Sequence, residues 1–564
     1  MKKEGQGNAF RMRKGAAFKG CKLFFPITIN RYPGWDETMY DILIKNGKII
    51  DGTGNPWRTA DVAVAEGKIA RIGQLTNARA ENVIDAAGKV VCPGFVDGHS
   101  HSDLIILENP TAEQKIRQGI TTENMGLDGM SVAPILKKDI PGWRRHLAGL
   151  AGNPDIDWNW ESFADYLDAI DQRQVATNVC SYVGLGTIRL KVMGMDGREA
   201  TPDEIQQMKR IAAEAMEQGA RGISAGLIYP PSQYQSAHEI IEIAKVVRRY
   251  DGIFDVHMRS EADGIVGAIE EVLDIGRQSE IPVLITHFKI RGKNNWGKAS
   301  VLLKMLEDAR KDGVDVTVAQ YPYTAGSTIL HAVIPPWYHT KGPDHLIAML
   351  RDDRGPIKKE MRDRMDWENF SAIVGWDKIF VTSVVSEANK RFEGQHIAEI
   401  AEVRGNADPA DAALDLLVEE NLAVGMVNFG LSEEDVVEIM KSPTVSIITD
   451  GLLGGTMPHP RTYGTCPRIL GRYVREQQVM RWEEAVRKMT SLPAQKLRLK
   501  KKGLLAEHYD ADIVIFDPAT VMDTSTYEVP RTFPTGIDWV VVNGKVVVKN
   551  GEHTGARHGK TIRD

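Results

Sequence analysis

The sequence has few cysteines, no long apolar run and little net charge. Its four cysteines, Cys21, Cys92, Cys180 and Cys466, are far apart and form no Cys-x-x-Cys pair. This spacing argues against a disulfide framework or a zinc cage and favours a reducing cytoplasm. No stretch reaches the roughly 18 consecutive apolar residues that span a bilayer. The net charge of −6 over 564 residues gives no indication of nucleic-acid binding. We therefore predict neither a membrane nor a nucleic-acid partner, while a homo-oligomer stays open.

The composition is that of a globular protein, with 42% apolar and 26% charged residues. A chain of 564 residues exceeds one ordinary core, so we expect a large catalytic domain and a smaller one. Residues 1–38 differ from the rest, with eight Lys or Arg against three acids. We predict that residues 1–38 are a loosely packed extension or an upstream-start artefact. A targeting segment is the weaker alternative, because no small-residue cleavage motif follows.

The two ends of the chain share a pattern of short apolar strands separated by glycine turns. Asn46-Gly47, Glu66-Gly67 and Asn543-Gly544 are each predicted to form a hairpin turn between two such strands. We therefore predict that residues 40–92 and 500–564 form one small β-sandwich domain built from both ends of the chain.

Between these ends, at 93–499, strands alternate with amphipathic helices. One such helix is predicted at 201–219, where Thr201 caps the first turn and Glu204 completes a capping box. The alternation predicts an α/β fold, a (β/α)8 TIM barrel. The stretch 324–444 is too long for one crossover and predicts an insertion near 335–383, packed over the barrel mouth. The eight candidate strands are 90–101, 121–126, 178–184, 222–227, 253–259, 282–287, 316–323 and 445–450.

Several candidate strands end in metal-binding side chains. In a TIM barrel the carboxyl ends of the strands converge on the active site, where imidazoles and a carboxylate can enclose a divalent metal. A single His-x-His pair or strand-end Asp is usually structural, but the coincidence of four such histidines among 14 favours a metal site. The side chains at these ends are His99, His101, His257, His287 and Asp450.

Longer motifs carry a family resemblance. From about Tyr40 to Asp564 the sequence resembles the N-acyl-D-amino-acid deacylases (D-aminoacylases) of the amidohydrolase superfamily. PGFVDGHSHSD at 93–103 resembles the first-strand metal motif of the superfamily. The motifs closer to the deacylases are QGITT (118–122), GMSVAP (129–134), GLIYPP (226–231), HMRSE (257–261), THFKIRGKNNWG (286–297), YPYTAGST (321–328), PHPRTYGT (458–465) and RKMTSLPA (487–494).

The resemblance implies one or two divalent ions, with zinc expected. One half-site would use His99, His101 and Asp450, and the other His257 and His287. A bridging ligand follows the second strand, where the deacylases have a cysteine in an Asn-Cys-Gly segment.

This chain has GLDG at 126–129 instead, which places Asp128 at the position of that cysteine. Glu123 is a second candidate for the bridge, and Asp128 as a simple turn residue is the structural alternative. Because a carboxylate is a harder ligand than a thiolate, manganese or iron stays open beside zinc. Leu185, where many relatives have histidine, predicts an altered pocket wall.

The predicted catalytic group is Asp450, which would take a proton from the attacking water and deliver it to the leaving nitrogen. Arg461 is the candidate for binding the substrate α-carboxylate, because a guanidinium can hold a carboxylate through two hydrogen bonds. Tyr229, Tyr321 and Tyr323 are predicted hydrogen-bond donors to substrate, and the structural alternative is that these tyrosines only pack. Lys289 and Arg291 would meet an acidic substrate side chain, and the structural alternative is that they are solvated charges of a loop.

The predicted function is metal-dependent hydrolysis of an amide, most directly the deacylation of N-acyl-D-amino acids. The substituted Asp128 and Leu185 keep open hydrolysis of a cyclic amide such as a hydantoin, an imide or a dihydropyrimidine, since a fold does not fix a substrate. A noncatalytic scaffold is a remote third alternative, because every predicted histidine ligand and Asp450 are retained.

Overall fold

The computed structural model describes residues 39–564, so the predicted extension at 1–38 lies outside the described residues. The strands are β1 (Met39–Ile49), β2 (Arg58–Ala65), β3 (Lys68–Gly73), β4 (Arg79–Asp85), β5 (Val90–Pro93), β6 (Phe95–Asp97), β7 (Ile120–Met125), β8 (Asn178–Ser181), β9 (Val183–Gly184), β10 (Gly222–Gly226), β11 (Ile253–His257), β12 (Val283–Ile285), β13 (Val316–Gln320), β14 (Ala325–Ile329), β15 (Ile379–Ser383), β16 (Gly425–Phe429), β17 (Val445–Ile447), β18 (Ile513–Phe516), β19 (Ile537–Val542), β20 (Lys545–Lys549) and β21 (Glu552–His553).

The helices alternate with the central strands, and in the described residues none is both long and apolar enough to cross a membrane. They are α1 (Ile105–Glu108), α2 (Glu113–Ile116), α3 (Ile140–Ala151), α4 (Phe163–Arg173), α5 (Leu185–Met193), α6 (Pro202–Glu217), α7 (Ala237–Arg248), α8 (Ile265–Ser279), α9 (Ala299–Lys311), α10 (Pro343–Asp352), α11 (Gly355–Asp363), α12 (Phe370–Val374), α13 (Ile397–Arg404), α14 (Pro409–Glu419), α15 (Glu433–Lys441), α16 (Arg461–Arg468), α17 (Trp482–Met489) and α18 (Ser491–Lys496). A π-helix follows α16 at Ile469–Glu476.

Strands from both ends of the chain form one sheet of nine strands, in the order β21-β20-β19-β18-β5-β1-β2-β3, with β4 beside β1. The two ends meet where β18 pairs antiparallel with β5. The hairpin turns predicted at Glu66-Gly67 and Asn543-Gly544 are confirmed. The hairpin predicted at Asn46-Gly47 is wrong, because β1 continues through this dipeptide and its pairing with β2 only shifts register there, as in a β-bulge.

Eight parallel strand positions form the barrel. The order β6-β7-β8 continues through β9-β10-β11-β12-β13-β17, with β8 and β9 as two parts of the third strand. A parallel bridge between Ser100 and Gly451 links the first and last positions and closes the ring. These strands are fully buried, as expected of parallel strands covered by helices, although several of them carry polar residues such as Asp255 and Gln320. The predicted fold, a TIM barrel with a small β domain from both chain ends, is confirmed.

The chain between β13 and β17 forms additional structure over the barrel. Strands β14, β16 and β15 form an antiparallel sheet, and helices α10–α15 lie in the same stretch. This stretch extends on both sides of the predicted insertion at 335–383, and the domain boundaries themselves stay predictions. Gly326, Ser327 and Thr328 of β14 line the cavity at the barrel mouth, so this sheet covers the site.

Candidate metal centre

The first group of predicted ligands lies where β6 and β17 end. His99 Nε2 and His101 Nε2 are 3.2 Å apart. Oδ1 of Asp450 lies 3.6 Å from His99 Nε2 and 3.2 Å from His101 Nε2. Oδ2 of Asp128 lies 3.8 Å and 3.5 Å from the same two nitrogens. These four side chains therefore point their ligand atoms at one small volume.

The second group lies where β11 and β12 end. Oδ1 of Asp128 lies 3.4 Å from His287 Nε2 and 3.9 Å from His257 Nδ1. The imidazole rings of His257 and His287 are 4.4 Å apart, centroid to centroid, and nearly perpendicular. Each oxygen of Asp128 thus faces one histidine pair, which is the arrangement required of a bridging carboxylate.

The alternative bridge, Glu123, points elsewhere. Its carboxylate accepts hydrogen bonds from Ser100 Oγ at 2.9 Å and Thr177 Oγ1 at 2.7 Å. Asp128 instead reaches the histidines from a tight turn between Gly126 and Gly129. Both glycines have positive φ, and a Cβ at Gly126 would lie 2.1 Å from a backbone oxygen. The turn therefore requires glycine there, and it presents Asp128 rather than Glu123 to the histidines.

Three of the six predicted ligands have left-handed backbone conformations that non-glycine residues rarely adopt. Their φ angles are 53° for Asp128, 31° for His287 and 48° for Asp450. Such conformations cost on the order of 1–3 kcal/mol each and persist where the surrounding structure enforces them, frequently at functional sites. For Asp450 part of the enforcement is visible, since its amide donates to the carbonyl oxygen of His99 at 3.0 Å.

The charges of the site suit metal binding. Burial opposes ionisation of Asp450, but the Arg461 guanidinium and the neighbouring imidazoles of His101, His287 and His99 together outweigh it and lower the pKa of the carboxyl. Burial likewise opposes ionisation of Asp128, and the imidazole of His99 contributes to holding its pKa well below the usual range. Burial lowers the pKa of the His257 imidazole to about 3. Both carboxylates are therefore anionic and His257 is neutral near pH 7, the forms in which these groups bind metals.

His287 differs from the other histidines. Burial and the Lys289 ammonium lower its pKa, but the nearby carboxylates of Glu261 and Asp128 raise it by more, to about 9. Without metal the His287 imidazole therefore holds a proton on each nitrogen at neutral pH. A metal that binds its Nε2 must displace one of these protons.

The unpaired polar atoms of the cluster fit a divalent cation. Asp128 Oδ1 and both ring nitrogens of His257 are buried without a hydrogen-bond partner among the described residues. Buried polar atoms ordinarily find a partner, so unpaired ones that converge require an explanation such as an ion. Four imidazoles and two carboxylates form a donor set that zinc, manganese and iron all accept. The residues present therefore fit one or two such ions.

Next to the ligands is a small cavity. Five of the predicted substrate-binding residues line it: Tyr229, Tyr321, Lys289, Arg291 and Arg461. The sixth, Tyr323, does not line it and instead packs its ring against Arg468, 4.6 Å away. Leu185 is fully buried at the start of α5 and does not line the cavity either.

Sequence reasoning missed the residues behind the ligands. The carboxylate of Asp97 accepts hydrogen bonds from the Thr449 amide at 2.9 Å and Lys115 Nζ at 2.7 Å, which ties β6 to β17 below the ligands. The hydroxyl of Thr286 hydrogen-bonds His99 Nδ1, which fixes that ring. Glu261 contacts the second histidine pair. One signal was available for Glu261, because it lies within the HMRSE motif four residues after His257.

A cluster of four imidazoles and two carboxylates at the mouth of a TIM barrel defines a metal-dependent hydrolase as the class of protein. The chain belongs to the amidohydrolase family, whose model matches residues 82–272 and 380–548.

Comparison with known proteins places it among similar deacylases. It is 36% identical over 527 residues to a D-aminoacylase of Alcaligenes xylosoxydans xylosoxydans, a match that covers 93% of this chain and 98% of the relative. It is similar, at 34% identity and a TM-score of 0.81, to an N-acyl-D-glutamate deacylase from Bordetella bronchiseptica solved with zinc and a phosphonate inhibitor, covering 93% of this chain and all of that one. An L-hydantoinase from Arthrobacter aurescens, at 16% identity and a TM-score of 0.52 over 93% of this chain and all of that one, shares the fold alone.

Proposed function

We propose that this protein is a metal-dependent amidohydrolase that converts N-acyl-D-amino acids to a carboxylate and a free D-amino acid. The observation that carries the proposal is the convergence of His99, His101, His257, His287, Asp128 and Asp450 beside a cavity lined by cationic and phenolic side chains. The similarity to D-aminoacylase over 93% of the chain supports the substrate class.

Zinc is the metal that we propose. A bound divalent ion lowers the pKa of water and polarises a carbonyl group, which supplies a nucleophile for amide hydrolysis near neutral pH. The similar Bordetella enzyme was solved with zinc. The carboxylate of Asp128 replaces a softer thiolate, so manganese and iron are the alternatives that metal analysis would distinguish.

Asp450 is the proposed proton carrier. Its Oδ1 faces the first histidine pair and its Oδ2 lies 2.8 Å from Arg461 Nη1. The guanidinium keeps the carboxylate anionic and therefore able to accept a proton from the attacking water. The same carboxyl group, once protonated, can deliver the proton to the leaving nitrogen.

Arg461 and Tyr321 are the proposed contacts for the substrate carboxylate. Both are buried, and Arg461 Nε and the Tyr321 hydroxyl have no hydrogen-bond partner among the described residues. The guanidinium lies 4.5 Å from the centre of the Tyr321 ring, so the two groups face the cavity together. Unpaired buried donors beside a cavity favour an anionic group of the ligand. Tyr229 is the third candidate donor, although its hydroxyl already pairs with Thr328 Oγ1 at 2.7 Å.

Lys289 and Arg291, the other two cations that line the cavity, already form ion pairs within the protein, so we propose that the substrate has a neutral side chain. Lys289 Nζ lies 2.5 Å from Glu261 Oε1. Arg291 contacts Glu261 Oε2 at 2.9 Å and Glu368 Oε1 at 3.2 Å. The two cations thus have two carboxylates of their own, and neither is free for an acidic side chain. This modifies the initial hypothesis that Lys289 and Arg291 recognise an acidic substrate.

The test combines metal analysis with an amine-release screen of N-acetyl-D- and N-acetyl-L-amino acids. We expect bound divalent metal, turnover of D-compounds and loss of turnover in Asp450→Asn. If the protein binds metal but hydrolyses only hydantoins or dihydropyrimidines, its substrates are cyclic amides. Protein that binds no metal and turns over none of these compounds would refute the proposal and favour a scaffold.

The proposed location is a reducing cytoplasm. Cys92, Cys180 and Cys466 are all buried free thiols, and burial raises the pKa of each of them, which makes them unreactive. The expected partner is the small-molecule substrate. A homo-oligomer stays a prediction, and light scattering of the purified protein would measure it.

A further inference from the structure

Behind the second histidine pair lies a buried ionic cluster of four residues, Glu261, Lys289, Arg291 and Glu368, which we call the Glu261 cluster. All four side chains are at most 7% exposed. Oε1 of Glu261 pairs with Lys289, and Oε2 accepts from Arg291 Nη2 at 2.9 Å. Glu368 accepts from Arg291 Nη1 at 3.2 Å and from the Glu261 amide at 3.3 Å. Both the carboxylate and the backbone of Glu261 are thus held in place.

The rings of the second histidine pair lie between two carboxylates. His287 directs Nε2 at Asp128 Oδ1, 3.4 Å away, and Nδ1 at Glu261 Oε1, 3.0 Å away. His257 directs Nδ1 at Asp128 Oδ1, 3.9 Å away, and Nε2 at Glu261 Oε1, 3.8 Å away. Only the His287–Glu261 distance is that of a hydrogen bond. Glu261 therefore contacts His287 directly and acts on His257 through its charge.

Glu261 could instead be a metal ligand, since Glu261, His257 and His287 form a group able to enclose an ion. The position of Lys289 argues against this alternative. Its ammonium lies 2.5 Å from Glu261 Oε1 and 2.7 Å from His287 Nδ1, and it donates to the His287 carbonyl oxygen at 2.9 Å. This side of the histidines therefore already contains a cation, and a divalent ion there would meet strong repulsion. The Asp128 side, where ligand atoms are unpaired, is the side left for the metal.

We propose that Glu261 is a positioning residue for the second metal half-site. In this proposal Nδ1–H of His287 donates to Glu261, and Lys289 Nζ donates to Glu261 Oε1 and to the His287 carbonyl oxygen rather than to Nδ1. This arrangement fixes the ring orientation and leaves the lone pair of Nε2 directed at the metal side. A carboxylate in this position also raises the basicity of a metal-binding imidazole. Lys289 and Arg291 hold the carboxylate ionised and oriented, so they are structural counter-ions of the centre. The inference rests on the metal centre proposed above.

The residues of the Glu261 cluster lie on segments whose positions are fixed by the barrel strands and by the structure over the barrel mouth. Glu261 follows β11, the strand that ends in His257, and Lys289 comes two residues after His287. The segment after His257 thus contributes Glu261, and the segment after His287 contributes both Lys289 and Arg291. Glu368 comes from the stretch between β13 and β17, and it also accepts from Ser260 Oγ at 2.8 Å. The structure over the barrel mouth is therefore connected to the second half-site through Glu368 and Glu261.

The test is metal affinity rather than turnover. Metal-free protein is titrated with Zn²⁺ against a chromophoric chelator, which resolves the dissociation constants of the two ions. In Glu261→Gln we expect the second ion to bind about 10- to 100-fold more weakly, the usual effect of losing a partner behind a metal-binding histidine. The first ion should bind as in the wild type. With Co²⁺, the visible absorption of the second ion should shift, because its ligand field changes.

Two further variants separate positioning from a general effect on folding. Glu239→Gln is the matched control, because Glu239 is also 1% exposed and pairs with a buried arginine, Arg189, but contacts no predicted ligand. It should leave both zinc affinities unchanged. Glu261→Asp keeps the charge but withdraws the oxygen from His287 Nδ1, and serves if the glutamine variant does not fold. We expect weaker binding of the second ion here too.

Unchanged affinity for every ion in both Glu261 variants would overturn the inference. Equal weakening of both ions, or the same loss in Glu239→Gln, would also overturn it, because the effect would then be general. Wild-type protein that binds no zinc at all would instead contradict the proposed function, so the two failures are distinguishable.

Discussion

Replacing Asp128 by asparagine tests the departure of this chain from the cysteine of the similar deacylases. The carboxylate lies between the two histidine pairs, 3.4 Å from His287 Nε2 on one side and 3.5 Å from His101 Nε2 on the other. Asparagine retains the shape, and it tolerates the φ of 53° at this position because asparagine adopts left-handed conformations more readily than most residues. The substitution therefore removes the charge and one oxygen ligand with little backbone strain.

The size of the effect follows from Coulomb's law. Two unit charges 4 Å apart attract by about 4 kcal/mol at an effective dielectric constant of about 20, so a divalent ion and a carboxylate attract by about 8 kcal/mol. In the metal-free protein the carboxylate already faces the protonated imidazole of His287, and the loss of this unit-charge attraction of about 4 kcal/mol on metal binding offsets roughly half of the attraction to the ion. A net loss of about 3–4 kcal/mol corresponds to binding that is roughly 10²- to 10³-fold weaker.

The assay is zinc titration of metal-free protein, with Glu123→Gln as the control because Glu123 is the alternative bridge. We expect weaker binding of both ions in Asp128→Asn and wild-type affinity in Glu123→Gln. The reverse pattern would assign the bridge to Glu123, and no change in either variant would leave Asp128 as a turn residue only. Asp128→Cys should restore binding and raise the preference for zinc over manganese, since thiolate is the softer ligand.

Three further outcomes are expected. Asp450→Asn should lower kcat by roughly 10²- to 10⁴-fold, the usual contribution of a general acid–base group, while circular dichroism stays unchanged. N-acetyl-D-amino acids with neutral side chains should exceed N-acetyl-D-glutamate in kcat/KM by at least about tenfold, because an acidic side chain finds Lys289 and Arg291 already paired; faster glutamate turnover would contradict this. Thr201→Ala should destabilise the start of α6 by about 1 kcal/mol, seen as faster amide exchange in its first turn, because the hydroxyl caps the Glu204 amide.

The fold was predictable where local pattern and long-range pairing agree. The central strands are buried along their whole length, and α6 begins at Pro202 behind the predicted capping box. Asn46-Gly47 shows the opposite case. The dipeptide favours a tight turn locally, but β1 forms more backbone hydrogen bonds by continuing through it and pairing with β2, β4 and β5. The dipeptide therefore becomes a bulge.

The convergence of the proposed metal ligands was predictable because each lies at or just after the end of a barrel strand, and the barrel geometry brings the strand ends together. The partners behind them were not, because their contacts depend on distant parts of the chain. Glu368 is 107 residues from Glu261 in sequence and reaches it from the stretch above the barrel mouth. Asp97 and Thr449 are 352 residues apart and meet only when the barrel closes. No local spacing encodes such pairs.

Lys289 and Arg291 illustrate why a cation in the sequence is not a free cation in the site. Counted alone, they predict recognition of an acidic side chain, but each is paired with an acid that also supports the metal centre. An acidic substrate could reach Lys289 only by displacing Glu261 from it. That displacement would also withdraw the carboxylate from His287 Nδ1, now 3.0 Å away. Binding of an acidic side chain and binding of the second ion should therefore oppose each other, which makes discrimination against acidic substrates a consequence of how the metal ligand is held.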